Sequence, residues 1–212
     1  MRNLITFLFT QYITTMKKMM MTLAAVLCCA MTTTVLTSCG DDDKDDIQPV
    51  VDDNTPKTVA VDLGFYFTED MVNYCNLEIA YGDGTSFGTP IKLTKDNMEY
   101  NKNLNIYSAS KVVTNGLPCT FTVKSTVTLA QNIDDLPRFT YSKGYFYYPS
   151  LYNAAGKKLT DLNSYDNPKT ADGVASKVAI LINEGKLNQI VTLTFDKDGN
   201  PTAKVQRSEE EL

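Results

Sequence analysis

The side chains best able to do covalent chemistry in this chain of 212 residues are its five cysteines. A thiol becomes a catalytic nucleophile only when a neighbouring base or positive charge stabilises the thiolate, and histidine is the usual base. The chain contains no histidine, which excludes cysteine–histidine and serine–histidine catalysis and histidine-ligated metals. We therefore predict no catalytic residue, no metal site and no cofactor.

Carboxylates are the other groups that could catalyse a reaction or bind a metal, and their spacing favours neither. The 25 acidic residues are dispersed, without a pair whose placement marks a glycosidase site. Asp196-Lys197-Asp198-Gly199-Asn200 begins like a calcium loop but lacks the later ligands of an EF-hand. These residues are instead typical of a hairpin turn. A small hydrolase stays a second alternative for the function, with no catalytic residues to name.

The N-terminus has the layout of a secretory signal. Lys17 and Lys18 precede residues 19–36, an apolar stretch of eighteen residues without a charge. Its threonines weaken the hydrophobicity that a retained transmembrane helix needs, and no basic cluster follows it. The pattern predicts a signal peptide over residues 1–38. Residues 1–15 fit this layout poorly, so we expect translation to begin at Met16, which leaves a compact signal over residues 16–38.

A lipid-modification motif ends this apolar stretch. Leu36-Thr37-Ser38-Cys39 resembles the bacterial lipobox, in which an aliphatic residue and two small residues precede a cysteine that is diacylated before cleavage. The resemblance implies that Cys39 is lipidated and anchors the mature protein in a membrane. The alternative is an unmodified Cys39 behind a retained anchor helix.

The residues behind Cys39 bear on where the anchor is placed. Gly40 stands where an aspartate holds enteric lipoproteins at the inner membrane, so that retention signal is missing and the outer membrane is expected. The acidic run that follows resembles the surface-export signal of Bacteroidota lipoproteins, which implies display on the cell surface. The alternatives are a solvated, self-repelling spacer and a periplasm-facing anchor. The run consists of Asp41, Asp42, Asp43, Asp45 and Asp46.

Residues 39–57 are predicted to form a disordered acidic linker that begins at the lipidated cysteine. Residues 40–57 contain seven aspartates, two prolines and no aromatic residue, so they cannot build a hydrophobic core. Such a linker tethers the folded part to the membrane and holds it away from the surface.

The charge balance limits the possible partners. Beyond residue 38 the chain carries 17 basic and 25 acidic residues, a net charge of −8, which repels phosphate backbones. We therefore predict no nucleic-acid partner. The expected partners are the outer membrane, through the lipid anchor, and an unknown protein or glycan.

From residue 58 onward, apolar residues alternate with polar ones at a period of two, which predicts strands with one buried face. Turn-forming residues separate the alternating segments. We predict an all-β fold for residues 58–207, an antiparallel β-sandwich with a β-barrel as the alternative, and a polar tail at 208–212. The alternating segments are Val59 to Phe67, Cys75 to Tyr81, Cys119 to Leu129 and Val191 to Phe195.

Two segments depart from plain strand patterning. Residues 68–72 fit one helical turn between two strands. Residues 173–184 allow a helix that is capped by Asp172 and closed by Gly185. We predict a strand over 177–182 instead, because Val178, Ile180 and Ile182 alternate.

The chain as a whole resembles the small immunoglobulin-like β-sandwich lipoproteins of gut Bacteroidota. The resemblance rests on the lipobox with its acidic run, the turn Gly82-Asp83-Gly84 between strands, and Leu117-Pro118 before a long alternating strand. It implies an immunoglobulin-like sandwich of unassigned function. The absence of tryptophan argues against an antibody-type domain.

Cys75 and Cys119 both lie on the apolar phase of a predicted strand. An exported pair that faces one core predicts a disulfide across the sandwich. The alternative is two thiols that act as small apolar side chains.

Residues 139–152 contain seven aromatic side chains and form the most unusual segment of the sequence. Phe146 is expected inside, with Tyr148 as the second candidate for that face, and Tyr145 and Tyr147 are expected on the accessible face, because neighbours in a strand point to opposite sides. Exposed tyrosines suit stacking on sugars or on a protein. The alternative is a strand whose second face is covered by residues 149–172. The candidate platform is Tyr145, Tyr147, Tyr148 and Tyr152.

These observations predict a non-enzymatic, cell-surface lipoprotein with one tethered β-sandwich and a binding or structural role. A glycan-binding accessory protein of a polysaccharide-uptake system is the first alternative, with the tyrosines as its platform.

Cys39→Ala tests the predicted anchor. The variant should lose incorporation of labelled palmitate, because the Cys39 thiol is the proposed acyl acceptor. The protein should then appear uncleaved or soluble. Cys75→Ala is the matched control and should label like the wild type. Unchanged labelling of Cys39→Ala would contradict lipidation at this residue.

Overall fold

The computed structural model describes residues 54–207. The predicted signal peptide, the predicted lipobox with Cys39, the acidic run, most of the predicted linker (39–53) and the tail at 208–212 lie outside the described residues.

The described chain consists almost entirely of β-strands joined by short connections. Two α-helices and one 3-10 turn, Lys95–Asn97, interrupt them. In chain order the elements are β1 (Thr58–Thr68), α1 (Glu69–Tyr74), β2 (Cys75–Gly82), β3 (Ile91–Leu93), β4 (Glu99–Asn101), β5 (Ile106–Gly116), β6 (Cys119–Leu129), β7 (Phe139–Ser142), β8 (Tyr145–Tyr152), β9 (Lys158–Asp161), β10 (Tyr165–Asn167), β11 (Thr170–Gly173), α2 (Ala175–Asn183), β12 (Gln189–Phe195) and β13 (Pro201–Arg207).

The strands form two antiparallel sheets packed face to face. The first sheet has the order β10-β8-β1-β5-β4, with β9 also paired to β8. The second has the order β13-β12-β6-β2-β3, and β7 and β11 form a separate pair. Neither path closes on itself within residues 54–207. The prediction of an all-β antiparallel sandwich is confirmed, and the barrel alternative is wrong.

The interior is built from the apolar phases of the alternating segments. In β1, the odd-numbered residues face the second sheet, and each is at most 2 % exposed. Side chains of the same phase in β2, β6 and β12 meet them from the opposite side. These side chains are Leu77, Ile79, Phe121, Val123, Val127, Val191, Leu193 and Phe195.

A short helix, α1, carries the chain from the first sheet to the second, and the helical turn predicted over 68–72 is confirmed. Thr68 caps α1: its hydroxyl accepts from the Met71 N–H at 3.3 Å and donates to the Thr140 carbonyl at 2.6 Å. Met71 is fully buried and fixes this helix to the core, together with the partly buried Val72 and Tyr74.

The strand predicted over 177–182 is wrong, because this segment is the helix α2. Val178 and Ile182 lie four residues apart on one helical face and are buried, while Ile180 is 55 % exposed. In a strand, Ile180 would share a face with both. A short run with apolar residues at every second position satisfies the helical and the strand period at once, so packing decided between them.

Of the two helix ends in the helical alternative, the C-terminal end at Gly185 is confirmed and the N-terminal cap at Asp172 is wrong. Gly185 closes the helix at a φ of +72°, and Lys186 N–H donates to the Leu181 carbonyl, as in a Schellman motif. Asp172 does not cap the helix. It lies in β11, where its carboxylate accepts from Arg138 Nε at 2.6 Å.

The turn predicted at 196–200 joins β12 to β13 and is confirmed. The Asp196 carboxylate accepts from the N–H groups of Asp198 and Asn200, each at 2.9 Å. Gly199 adopts a φ of +84°, which favours glycine. The carboxylate that suggested a calcium ligand therefore holds its own backbone turn.

Candidate binding surface

The aromatic strand β8 divides its side chains between the two faces of the first sheet. Tyr145 faces the interior and is 8 % exposed, and Tyr147 on the same face is half-buried. The ring of Tyr165, from β10, stacks on both at centroid distances of 4.6 and 5.8 Å. The prediction that Tyr145 and Tyr147 form the accessible face is wrong. The alternative, coverage by residues 149–172, is confirmed because β10 supplies Tyr165.

Phe146 is buried, as expected, but on the outer face of the sheet rather than between the sheets. It lies directly opposite Gly64 of β1 and is only 5 % exposed. A Cβ atom at Gly64 would lie 2.9 Å from the tip of the Phe146 ring, so the missing side chain makes room for it. Tyr66 and Tyr148 flank the ring at centroid distances of 4.9 and 5.6 Å.

Asp166 joins the two flanking tyrosines. The Tyr66 hydroxyl donates to Asp166 Oδ1 at 2.7 Å, and the Tyr148 hydroxyl donates to Oδ2 at 2.6 Å. Burial, followed by the hydrogen bond to Asp166, raises the pKa of Tyr66 and brings the pKa of Tyr148 to about 12. Both phenols therefore stay protonated at neutral pH, and both hydroxyls continue to donate their hydrogen bonds to the Asp166 carboxylate.

Together with Asp62, these four residues form what we term the outer-face cluster. The Tyr148 ring is 40 % exposed, which makes it the most accessible aromatic side chain of the cluster. Asp62 lies opposite Tyr148 in the register of β1 and β8. The cluster therefore presents a fixed aromatic ring between two carboxylates, with the hydroxyl lone pairs available to a ligand. Its members are Asp62, Tyr66, Phe146, Tyr148 and Asp166.

The predicted platform is thus reduced and shifted. Tyr148 is exposed on the outer face, and Tyr152 lies further along that face, half-buried and opposite Thr58. Tyr66 and Asp166 were not predicted as site residues. The sequence does indicate Tyr66, because it is an aromatic residue on the polar phase of β1. Nothing in the sequence near Asp166 indicates that its carboxylate would reach two tyrosines.

The disulfide predicted between Cys75 and Cys119 is wrong, and both thiols are free. Cys75 lies opposite Leu129, at one end of β6, and Cys119 begins the same strand ten residues away. At roughly 3.3 Å per residue the cysteines are about 30 Å apart, whereas a disulfide needs Cα atoms within about 7 Å. Burial, then the charge of Asp70, raises the pKa of Cys75 to about 12, so this thiol stays protonated at neutral pH.

In the part of the chain that the structure covers, no cluster of three or more cysteine, aspartate or glutamate side chains could hold a metal ion. No helix in that part is long and apolar enough to cross a membrane.

No protein-family model, curated protein or solved structure matches this chain.

Alanine substitutions in β8 should separate its two faces. Tyr145→Ala should lower the free energy of unfolding by about 3 kcal/mol or more, because it removes a buried ring that is the closer of the two stacking on Tyr165. Tyr148→Ala, the matched control on the outer face, should cost less than about 1.5 kcal/mol. Urea unfolding of the full chain under reducing conditions measures both. Equal costs would contradict the assignment of faces.

Proposed function

We propose that this protein is a lipid-anchored, non-enzymatic binding protein displayed on the outer surface of the outer membrane. The observation that carries the binding role is the outer-face cluster, in which one carboxylate holds two tyrosines. The lipobox and the acidic run support the anchor and the display. The acidic linker predicted from the sequence would then let the sandwich reach a partner outside the membrane.

The geometry of the cluster favours recognition over a purely structural role. A tyrosine on a solvated strand face ordinarily moves between rotamers, and ordering it on binding costs free energy. The hydrogen bonds from Tyr66 and Tyr148 to Asp166 already pay that cost in the folded protein. A ligand thus meets a fixed aromatic surface, which is the property of an efficient binding site.

A glycan is the alternative ligand, and one observation favours it. Sugars are bound by an aromatic ring that stacks on their apolar face together with carboxylates that accept hydrogen bonds from their hydroxyls. The Tyr148 ring, with Asp62 and Asp166 beside it, supplies both kinds of contact. In this alternative the protein is an accessory of a polysaccharide-uptake system.

Surface display can be tested through the acidic run. Alanine at Asp41, Asp42, Asp43, Asp45 and Asp46 should keep palmitate labelling but abolish cleavage of the protein by protease added to intact cells. Alanine at Asp52 and Asp53, which lie in the same linker but outside the run, should leave cleavage unchanged. Equal cleavage of all three proteins would reduce the run to a spacer.

Ligand binding can be tested with Asp166→Ala. Screening the full chain on arrays of polysaccharides and of surface proteins should yield a ligand whose affinity falls by about tenfold or more in Asp166→Ala and in Tyr148→Ala, since each loses the fixed ring. Asp161→Ala is the matched control, because Asp161 is a carboxylate at the same sheet that contacts Ser150 and Lys158 and lies outside the cluster. A ligand bound equally by all variants would place the binding site elsewhere.

A further inference from the structure

The first sheet is open along most of β5. On one side, β1 pairs with β5 along its whole length. On the other side, β4 pairs only with residues 106–108. Within residues 54–207, no strand pairs with residues 109–116 on that side. We call this stretch the open edge of β5. Val112, at its centre, is 62 % exposed.

The register identifies which main-chain groups the open edge presents. In an antiparallel strand each residue points its N–H and C=O to the same side, and the side alternates. Tyr66 N–H donates to the Gly144 carbonyl at 3.0 Å, so even-numbered residues of β1 bond toward β8 and odd-numbered ones toward β5. Leu63 pairs with Lys111, so odd-numbered residues of β5 bond back to β1. The even-numbered residues that face the open edge are Ser110, Val112 and Thr114.

A cavity of about 330 Å³ lies beside this edge, on the inner side of the sheet. Val113 and Asn115 of β5 form one wall, and the connection between β2 and β3 forms the opposite wall. Tyr81 and Phe121 add apolar surface. We call this cavity the β5 pocket. It has the size to take one apolar side chain from a strand laid along β5.

Charged groups lie at both ends of this arrangement. Lys111 is exposed, and its Nζ lies 6.0 Å from the centre of the Tyr81 ring. Asp83 lies in the wall near Asn115, and hydrogen bonds from the Thr85 hydroxyl and N–H and the Ser86 N–H lower its pKa to about 2. An incoming strand therefore meets a positive charge at Lys111 and, four residue pairs further along, a negative charge near Asn115.

We propose that the open edge of β5 binds an extended segment of another protein as an additional antiparallel strand, with an apolar side chain in the β5 pocket and an acidic side chain facing Lys111. In the bound strand, the residues opposite Lys111, Val113 and Asn115 point inward. They are, in that order, acidic to face Lys111, apolar to enter the β5 pocket, and basic to face Asp83. The outward position opposite Val112 takes a β-branched apolar residue. This site is separate from the outer-face cluster, so either can fail without the other.

The charge pattern argues for a partner of defined sequence. Exposed strand edges in native proteins are blunted by proline, bulges or several charges. The open edge has one lysine and no proline, and it adjoins the β5 pocket with its apolar patch of Tyr81, Val113 and Phe121. Main-chain hydrogen bonds to three β5 residues would supply affinity, and the pocket and the two charges would supply specificity.

A synthetic peptide can imitate this partner. We would measure fluorescence anisotropy of the labelled, end-capped peptide SKTIVETS with the full chain in detergent micelles. Its K, I and E are placed opposite Asn115, Val113 and Lys111. Saturable binding is expected. Lys111→Glu should weaken it by about tenfold, and the peptide SKTIVKTS should restore affinity to that variant. Lys204→Glu, a matched charge reversal on β13, should bind SKTIVETS like the wild type.

The peptide SKTIPETS should not bind, because proline lacks the N–H that would pair with Val112. Circular dichroism checks that each variant is folded. If Lys111→Glu does not fold, Lys111→Gln is measured in its place. Absence of saturable binding by the wild type would overturn the proposal, as would equal affinity of wild type and Lys111→Glu. Sedimentation that shows self-association lost in Lys111→Glu, without peptide binding, would assign the edge to a second copy and also overturn it.

Discussion

Strand β1 contributes its inward side chains to the interior along its whole length, and Val59, Leu63 and Phe65 retain at most 1 % of their exposure. Burying a large apolar side chain contributes roughly 1.5–3 kcal/mol, so this one strand supplies much of the free energy that holds the first sheet on the second. Because β5 and β8 pair with β1 on its two sides, its position also sets theirs. The outer-face cluster and the open edge of β5 therefore both depend on the packing of β1.

On the outer face of the first sheet, Gly64 of β1 decides how Phe146 packs. The absence of a side chain lets Phe146 lie across the sheet, buried without entering the core. Four consecutive aromatic residues of β8 can then be accommodated without four places in one interior. Tyr165 covers the inner pair, and Gly64, Tyr66 and Asp166 order the outer pair. What remains exposed is the Tyr148 ring, held in one orientation.

The two candidate interaction sites use different physics. The outer-face cluster offers ordered side chains and two carboxylates, so a ligand there gains affinity from stacking and from hydrogen bonds to fixed acceptors. The open edge of β5 offers main-chain groups, which any extended chain can match, and leaves discrimination to the pocket, Lys111 and Asp83. One sandwich can present both, because one lies on a sheet face and the other on a strand edge.

The sequence by itself determined the strands, since alternation in the segments of β1, β2, β6 and β12 shows which side chains must leave water. It also indicated the turn at 196–200, where local hydrogen bonds suffice. Tertiary structure decided whatever depends on distant residues. Val178 and Ile182 suit a strand or a helix, and only packing selects the helix. Cys75 and Cys119 share an apolar phase, yet the register places them at opposite ends of one strand. Asp166 acquires its role only because sheet pairing brings Tyr66, a hundred residues earlier, within hydrogen-bond distance.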